Sequence, residues 1–295
     1  MKYIYVIASL TVVALMSSCG SGKQLTQKKE IAKQYYNAGN YNNALLEYTE
    51  VIMVYENNNN SSECSIYTNA GESALKVGNT KLSIDNLNKA KNTRFANEYT
   101  YLYLAEGYKQ IDNLSQEIRA LVDYLDLYPN GKEVSVVKTR LFYTLVESDN
   151  FEKAIELWPY VYSDNQQNIQ LYEAYLIANI GLNDINACND VAKQLLSLDA
   201  NNIDGLSWFG KYYYYKAEDH YREEMNSYEI NKTNKQYSIL LKALEVITDD
   251  FKKSLTYFKK NYALQPTSEI ANYLSHIYGR LSDKNNEAYY KALAK

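Results

Sequence analysis

The residues of this chain that could bind a metal or transfer a proton are few and far apart. The 295 residues include two histidines, His220 and His276, and three cysteines. A zinc site needs about four clustered ligands, so this set predicts no metal site and no cofactor. We expect His276 to be a surface or packing residue of a helix. Cys188 falls at a small-residue packing position, where a thiol acts as a small hydrophobe, and we expect no disulfide with Cys64.

Paired carboxylates are the other candidates for catalysis. Glycosidases use two acids across a cleft, and this chain has the adjacent pairs Asp249-Asp250 and Glu223-Glu224. Adjacent residues of a helix point in different directions, so these pairs favour solvated charge. The sequence contains no His-Glu-x-x-His, Cys-x-x-Cys, Walker or Gly-x-Ser-x-Gly motif. We therefore predict no catalytic residue and no enzyme activity.

The third cysteine, Cys19, follows an apolar N-terminal segment. Residues 4–16 are mostly apolar, which is shorter than the ~20 residues of a spanning helix but suits the core of a signal peptide. The end of this segment, Leu-Met-Ser-Ser-Cys-Gly, resembles the signal of bacterial lipoproteins. The resemblance implies a signal peptide over 1–18, lipid on the Cys19 sulfur and a lipidated tether over 19–24. An ordinary secretory signal with an incidental cysteine is the alternative.

The residue after Cys19 bears on the predicted location. In such lipoproteins Asp at this place is the usual inner-membrane retention signal, and this chain has Gly20. The resemblance therefore implies an outer-membrane protein of a Gram-negative cell, held by its lipid and facing the periplasm. Stable anchoring takes more than one acyl chain, which a fully modified cysteine supplies.

Composition limits the class of protein. There are 31 Lys+Arg and 35 Asp+Glu, a net charge of −4, which argues against nucleic acid as a partner because that needs a dense basic face. The hydrophobic fraction of 46% excludes wholesale disorder. Only 3 Pro and 11 Gly are present, too few for the many tight turns of an all-β sandwich or barrel.

The periodicity of the chain is helical and repeated. Apolar residues recur at helical spacing from Gln27 onward, with polar breaks between the runs. Five turn residues are spaced by 39, 34, 37 and 34 positions, namely Gly39, Gly78, Asp112, Asp149 and Asn183. Small residues recur in phase where paired helices must approach: Ala32, Gly71, Ala105 and Gly210 in first helices, and Ala44, Ser83 and Ala154 in second helices. This pattern resembles the tetratricopeptide repeat (TPR) of ~34 residues.

The TPR resemblance implies the fold and its segments. We expect an all-α fold, an α-α superhelix (solenoid) of stacked helical hairpins with a C-terminal capping helix. The predicted segments are about five TPR-like hairpins over 25–202, one elongated hairpin over 203–266 and capping helices over 267–295. A polar break over 229–236 separates the two long helices. The repeats depart from the pattern where Phe142, Leu176 and Glu117 replace small residues, and Pro159 is expected to kink its helix.

The resemblance also implies a binding surface. In TPR proteins the first helices line a concave groove that holds an extended peptide or a helix of a partner. Transferring the register to this chain gives the predicted partner-binding residues: Lys29, Lys33, Tyr36, Asn37, Glu72, Glu106, Lys109, Tyr143, Lys211, Tyr214 and Tyr215. Tyrosine, with 32 copies against 6 of Phe, combines contact area with a hydrogen-bonding tip. We favour Tyr214 and Tyr215, because four consecutive tyrosines on a helix cannot all be core.

These expectations describe a lipid-anchored envelope scaffold. It would bind a protein or peptide partner in its groove, within an outer-membrane assembly or secretion machine. The alternative is a glycan-binding lipoprotein of a polysaccharide-uptake system, whose TPR-containing examples are much longer and carry added ligand-binding loops. The resemblance covers the domain plan only, so it does not select the partner.

Overall fold

The structure is a computed structural model that describes residues 22–163 and 166–295. Cys19 and the predicted signal peptide lie outside these residues. The described residues divide into two compact units: unit 1 ends at Ser148, and unit 2 begins at Asp149 and ends at Lys295. The described residues contain helices and turns but no strand, which confirms the all-α prediction.

Unit 1 contains seven helices among its described residues. They are α1 (22–37), α2 (Tyr41–Asn57), α3 (Tyr67–Lys76), α4 (Thr80–Lys91), α5 (Glu98–Gln110), α6 (Leu114–Leu127) and α7 (Val134–Glu147), with a 3-10 turn at Ser61–Glu63. Successive helices pack against one another from α2 to α7, and α3 also contacts α5. The odd-numbered helices are the first helices of the predicted repeats.

Unit 2 also contains seven helices in the described part of the chain. They are α8 (Phe151–Tyr162), α9 (Ile169–Gly181), α10 (Ile185–Leu198), α11 (Ile203–Ile230), α12 (Asn234–Leu264), α13 (Ser268–Arg280) and α14 (Lys284–Leu293). Helix α8 runs through Pro159 to Tyr162. The break between the long helices covers only 231–233, which is shorter than the predicted 229–236, because α11 keeps its helical pattern through Ile230.

The predicted turns share one backbone feature. Gly39, Gly78, Asp112, Asp149 and Asn183 all have a positive φ, between 54° and 80°. A left-handed residue at this position ends a helix, because the next N–H turns back to an earlier carbonyl. For example, the Asn79 N–H donates to the Ala74 carbonyl at 2.8 Å, and the Asn79 side chain then accepts from the Leu82 N–H at 3.2 Å. Two consecutive residues thus end one helix and begin the next.

The predicted small residues lie where helices cross. Ala32, Ala44, Ala105, Ser83 and Ala154 are completely buried. At the two first-helix glycines the space is already filled. A Cβ added to Gly71 would lie 2.5 Å from the Leu87 side chain, and one added to Gly210 would lie 2.7 Å from the Phe258 ring. The close approach of paired helices inferred from the repeat pattern is therefore confirmed.

The long helices α11 and α12 form an antiparallel pair. Near the end of α12 the Asn261 amide donates to the Ile203 carbonyl at 3.3 Å, at the start of α11. One turn before Phe258, the Ser254 hydroxyl donates to the Gly210 carbonyl at 2.7 Å. Their shared core includes Ala217, Ile247 and Phe251 and reaches α13. Among the described helices, none combines the length and apolarity needed to cross a membrane.

Candidate partner-binding surfaces

Two surfaces carry the predicted partner-binding residues. We call the side of α1, α3, α5 and α7 that holds these residues the first-helix surface of unit 1. The corresponding side of α9, α11 and α13 is the first-helix surface of unit 2. The two surfaces differ in which of their polar side chains already form hydrogen bonds or ion pairs within the protein.

The centre of the first-helix surface of unit 1 is a buried carboxylate. Glu72 of α3 is only 7% exposed. The Tyr36 hydroxyl of α1 donates to it, and the Tyr103 hydroxyl of α5 forms a second hydrogen bond with it. Burial, and then this bond to a negative group, raises the pKa of both tyrosines above the usual value. Glu72 therefore joins three first helices, and its carboxylate is not open to a ligand.

A second group of charges joins α5, α6 and α7. The Arg140 Nε donates to the Glu117 carboxylate at 2.7 Å, and its Nη1 donates to the Glu106 carboxylate at 3.1 Å. The Glu117 side chain is 2% exposed, at the position where the repeat pattern expects a small residue. Sequence reasoning noticed the misplaced acid but missed Arg140, its partner. An acid at a small-residue position was the signal that a cation had to lie nearby.

The cations of this surface are more open than its acids. Lys33 and Lys109 are exposed, and neither has an ion pair or side-chain hydrogen bond in the described part of the chain; the same is true of the Asn37 side chain. Lys29 is held instead, since its Nζ donates to the Tyr55 hydroxyl at 2.6 Å. Tyr143 is half-buried against Phe142, with ring centroids 6.0 Å apart. Unit 1 thus presents free donors beside acids that are already bound.

The first-helix surface of unit 2 is different, and it corrects the expectation for Tyr214. Tyr214 is 9% exposed and packs against Phe251 and Tyr273, at centroid distances of 6.1 Å and 5.0 Å. Its hydroxyl lies 3.2 Å from the His276 Nδ1. Tyr214 belongs to the core because it follows Gly210 by one turn and precedes Ala217, both of which are buried.

The other predicted residues of unit 2 already have partners. Tyr215 is 52% exposed, but its hydroxyl lies 2.8 Å from the Tyr273 hydroxyl. The Lys211 Nζ lies 2.7 Å from the Glu269 carboxylate. Sequence reasoning missed Ile177 of α9, which is an exposed apolar side chain. Ile177 follows Leu176, which takes the small-residue position, as Lys211 follows Gly210 in α11, so the repeat register assigns it to this surface. Helix α9 is apolar nearly all round, so its periodicity did not show which residue faces outward.

The remaining candidate residues do not assemble a reactive site. Cys64 and Cys188 are buried free thiols, and burial raises the pKa of the Cys188 thiol to about 11. A thiol in that state is a packing residue at neutral pH. In residues 22–163 and 166–295, no three His, Cys, Asp or Glu side chains lie close enough to hold a metal ion.

Comparisons with known proteins identify the type of fold. No family model matches the chain, and no curated protein matches it in sequence. The C-terminal part of a TPR-containing protein from Cytophaga hutchinsonii is similar in structure, with 11% identity, a TM-score of 0.56, and coverage of 90% of this chain and 93% of that one. A proposed protein-binding protein from Bacteroides ovatus has 17% identity and a TM-score of 0.51, covering 64% of this chain and 99% of that one.

A third similar structure is YrrB, a TPR protein with an unusual peptide-binding site. It has 12% identity and a TM-score of 0.50, and the match covers 61% of this chain and 89% of that one. These likenesses agree with the turn and packing pattern described above. The fold is a TPR-like series of helical hairpins.

Proposed function

We propose that this protein is a scaffold that binds an extended segment of another protein on the first-helix surface of unit 1. The observation that carries the proposal is the division of charges on that surface. The carboxylates of Glu72, Glu106 and Glu117 are engaged by neighbouring helices, whereas Lys33 and Lys109 are exposed and unpaired.

The engaged carboxylates favour binding by fixing the surface in advance. Glu72 ties α1, α3 and α5 together, and Arg140 ties α7 to α5 and α6. A surface held in one arrangement loses less conformational entropy when a partner binds. An extended segment offers backbone carbonyls and carboxylates, which accept hydrogen bonds from Lys33, Lys109 and the Asn37 amide.

Aromatic side chains supply the apolar part of the contact. Tyr99 lies exposed on α5, and its ring stacks on that of Tyr103 with centroids 6.1 Å apart. Tyr103 is the same residue whose hydroxyl bonds Glu72. A ring fixed in this way buries area against a ligand at low entropy cost. The protein-binding description of the Bacteroides ovatus protein and the peptide-binding site of YrrB support the same kind of function.

We also propose that the protein is located in the cell envelope. This proposal rests on the apolar N-terminal segment that ends at Cys19. A lipid on this cysteine would hold the scaffold on the outer membrane, facing the periplasm, where it would serve an assembly or secretion machine. Replacing Cys19 by Ser should move the protein from the membrane fraction to the soluble fraction. An unchanged distribution would rule out the lipid anchor and leave the peptide-binding proposal untouched.

A peptide-selection experiment tests the binding itself. The full chain would be used to select ligands from a random-peptide display library, and affinities would be measured by fluorescence anisotropy. Replacing both Lys33 and Lys109 by Ala should lower the affinity for a selected peptide about tenfold or more, because each replacement removes a charge-assisted hydrogen bond.

The matched control removes the same charge elsewhere. Lys81 and Lys242 are exposed residues of α4 and α12, which are second helices and form no part of either first-helix surface. Their double replacement by Ala should leave the affinity unchanged. Selection of no peptide, or equal losses in the two double variants, would contradict the proposal.

A further inference from the structure

A polar pocket lies between α4, α5 and α6 of unit 1. Its volume is about 250 Å³. Helix α4 contributes Asn88 and Lys91, α5 contributes Tyr108, and α6 contributes Gln116 and Arg119. Three helices thus direct polar side chains at one space. Nothing in the peptide-binding proposal uses these residues.

The pocket is rich in hydrogen-bond donors. Within the described part of the chain, its lining includes two cations and no carboxylate. Arg119 is exposed and has no ion pair among the described residues, so its five N–H donors are available. The Lys91 Nζ lies 2.6 Å from the Asp123 carboxylate, which uses one of its three donors. The two side chains can therefore bind one anion together.

The tyrosine of the pocket is also set up as a donor. The Asn88 amide donates to the Tyr108 hydroxyl oxygen at 3.1 Å. Because the oxygen already accepts this bond, its own proton is directed elsewhere. The Gln116 amide adds a further donor from the first turn of α6, where the helix dipole also favours negative charge.

The end of α4 could oppose an anion, since the last carbonyls of a helix carry partial negative charge. Here these groups are occupied. The Asn88 carbonyl accepts from the Asn92 amide at 3.1 Å, and the Ala90 carbonyl accepts from the Thr93 N–H at 2.9 Å. These bonds use acceptors at the end of α4, and the donors of Lys91, Tyr108 and Arg119 face the same pocket.

We propose that this pocket binds the phosphoryl group of a small phosphate compound. Donors that converge from three helices match a tetrahedral oxyanion with several acceptor oxygens, and Arg with Lys is a common pair for phosphate. A molecule of water occupies about 30 Å³ of liquid, so a 250 Å³ pocket has space for an organic part beside the phosphate. Leu104 and Ala120 offer that part an apolar wall.

Calorimetric titration of the full chain tests this site with three probes: glycerol phosphate, inorganic phosphate and glycerol. We expect both phosphates to bind, and glycerol to give no signal. Tighter binding of glycerol phosphate would identify an ester as the ligand, whereas tighter binding of inorganic phosphate would identify free phosphate. The proposal would be overturned if neither glycerol phosphate nor inorganic phosphate bound at about 10 mM.

Two variants test whether phosphate binds in this pocket. Arg119→Gln should weaken phosphate binding about tenfold or more, because it removes a charge-assisted contact from an exposed residue. Tyr108→Phe should weaken it less, since only one neutral donor is lost. Lys81→Gln is the control of equal charge change on α4 and should have no effect. Equal affinities of the Arg119→Gln and Lys81→Gln proteins would show that phosphate binds elsewhere and overturn the assignment.

Discussion

The first-helix surfaces of the two units are built from the same residue types and use them in opposite ways. In unit 1, Tyr36 and Tyr103 bind the buried Glu72 and leave lysines of α1 and α5 open. In unit 2, tyrosine binds tyrosine at Tyr215 and Tyr273, and the lysine is paired with an acid. In unit 1 the acids are bound by residues of neighbouring helices, and the lysines remain available as donors. In unit 2 the acid and the lysine bind each other.

This difference shows that composition does not determine what a helical surface offers. Tyr and Lys occur in both predicted sets, and each surface also carries an acid, so composition predicts two similar surfaces. What a surface offers to a ligand depends on which helix supplies the hydrogen-bond or ion-pair partner of each polar side chain. A carboxylate buried between helices must be bound, because an unpaired buried charge is strongly unfavourable. The cations beside it are then left for another molecule.

The largest expected difference between the units concerns their cations. Arg140→Ala leaves the buried Glu117 carboxylate unpaired, and we expect it to lower the free energy of unfolding by about 3 kcal/mol. Lys211→Ala removes a cation that is 40% exposed and should cost less than about 1 kcal/mol. Urea unfolding followed by circular dichroism measures both values. Equal losses would show that the Arg140 contacts are no stronger than a surface ion pair.

A double variant separates charge from packing in this prediction. Glu117→Ala with Arg140→Met restores the small residue of the repeat pattern and removes both charges. Replacing a buried ion pair by apolar residues is often close to neutral, so we expect most of the stability lost in Arg140→Ala to return. Failure to recover would mean that Arg140 acts through its packing.

The tyrosines give the next largest contrast. Changing both Tyr36 and Tyr103 to Phe leaves the Glu72 carboxylate without its two hydroxyl donors, and we expect a loss of about 2–3 kcal/mol. Changing both Tyr215 and Tyr273 to Phe removes a bond between hydroxyls at an exposed residue and should cost about 1 kcal/mol or less. The same unfolding measurement compares them, and a reversed order would contradict the account of unit 1.

The tyrosines that bind Glu72 should also make the free energy of unfolding depend on alkaline pH. The pKa of Tyr36 and of Tyr103 is raised in the folded protein above the ordinary value of 10.0. Above pH 10 the unfolded chain therefore binds fewer protons than the folded one, and the free energy of unfolding falls as pH rises. Each such tyrosine contributes up to about 1.4 kcal/mol per pH unit. Urea midpoints between pH 9 and 11 should fall less steeply in the Tyr36→Phe, Tyr103→Phe protein, and identical slopes would contradict the prediction.

The smallest expected effects concern the turns, which use left-handed residues in both units. Unit 1 has Gly39 at a left-handed position with φ of 71°, and unit 2 has Ser282 at one with φ of 62°. A non-glycine residue in this region is strained, so Ser282→Gly should stabilise the protein by about 0.5–1 kcal/mol. Gly39→Ala should destabilise it by about 1 kcal/mol. Thermal unfolding measures both shifts, and a destabilised Ser282→Gly protein would show that the Ser282 side chain matters more than its backbone.

Much of the fold could be predicted because it depends on local features. A turn needs a residue that accepts positive φ followed by a helix N-cap, and Gly78-Asn79 shows both in the sequence. The close crossing of two helices needs a small residue, as at Gly71. Both signals repeat at a fixed period, so each repeat supports the others.

The binding surface was less predictable because it depends on contacts between distant residues. Glu72 lies 36 positions from Tyr36, and the repeat register does not show that the two side chains bind each other. The repeat register predicts Tyr214 on the surface, although its spacing from Gly210 and Ala217 indicates the core. The register identifies the helix face, whereas the neighbouring helix determines which side chain remains exposed.

Site-specific photo-crosslinking in cells shows which of the two first-helix surfaces contacts a partner. A photoreactive residue would be placed in turn at Lys33 and Lys109 in unit 1, at Lys211 and Tyr215 in unit 2, and at Lys81 as the control. We expect a crosslinked partner polypeptide from positions 33 and 109, and crosslinking yields at positions 211 and 215 no higher than the yield at position 81. Crosslinks from 211 and 215 alone, or equal yields at all five positions, would contradict this expectation.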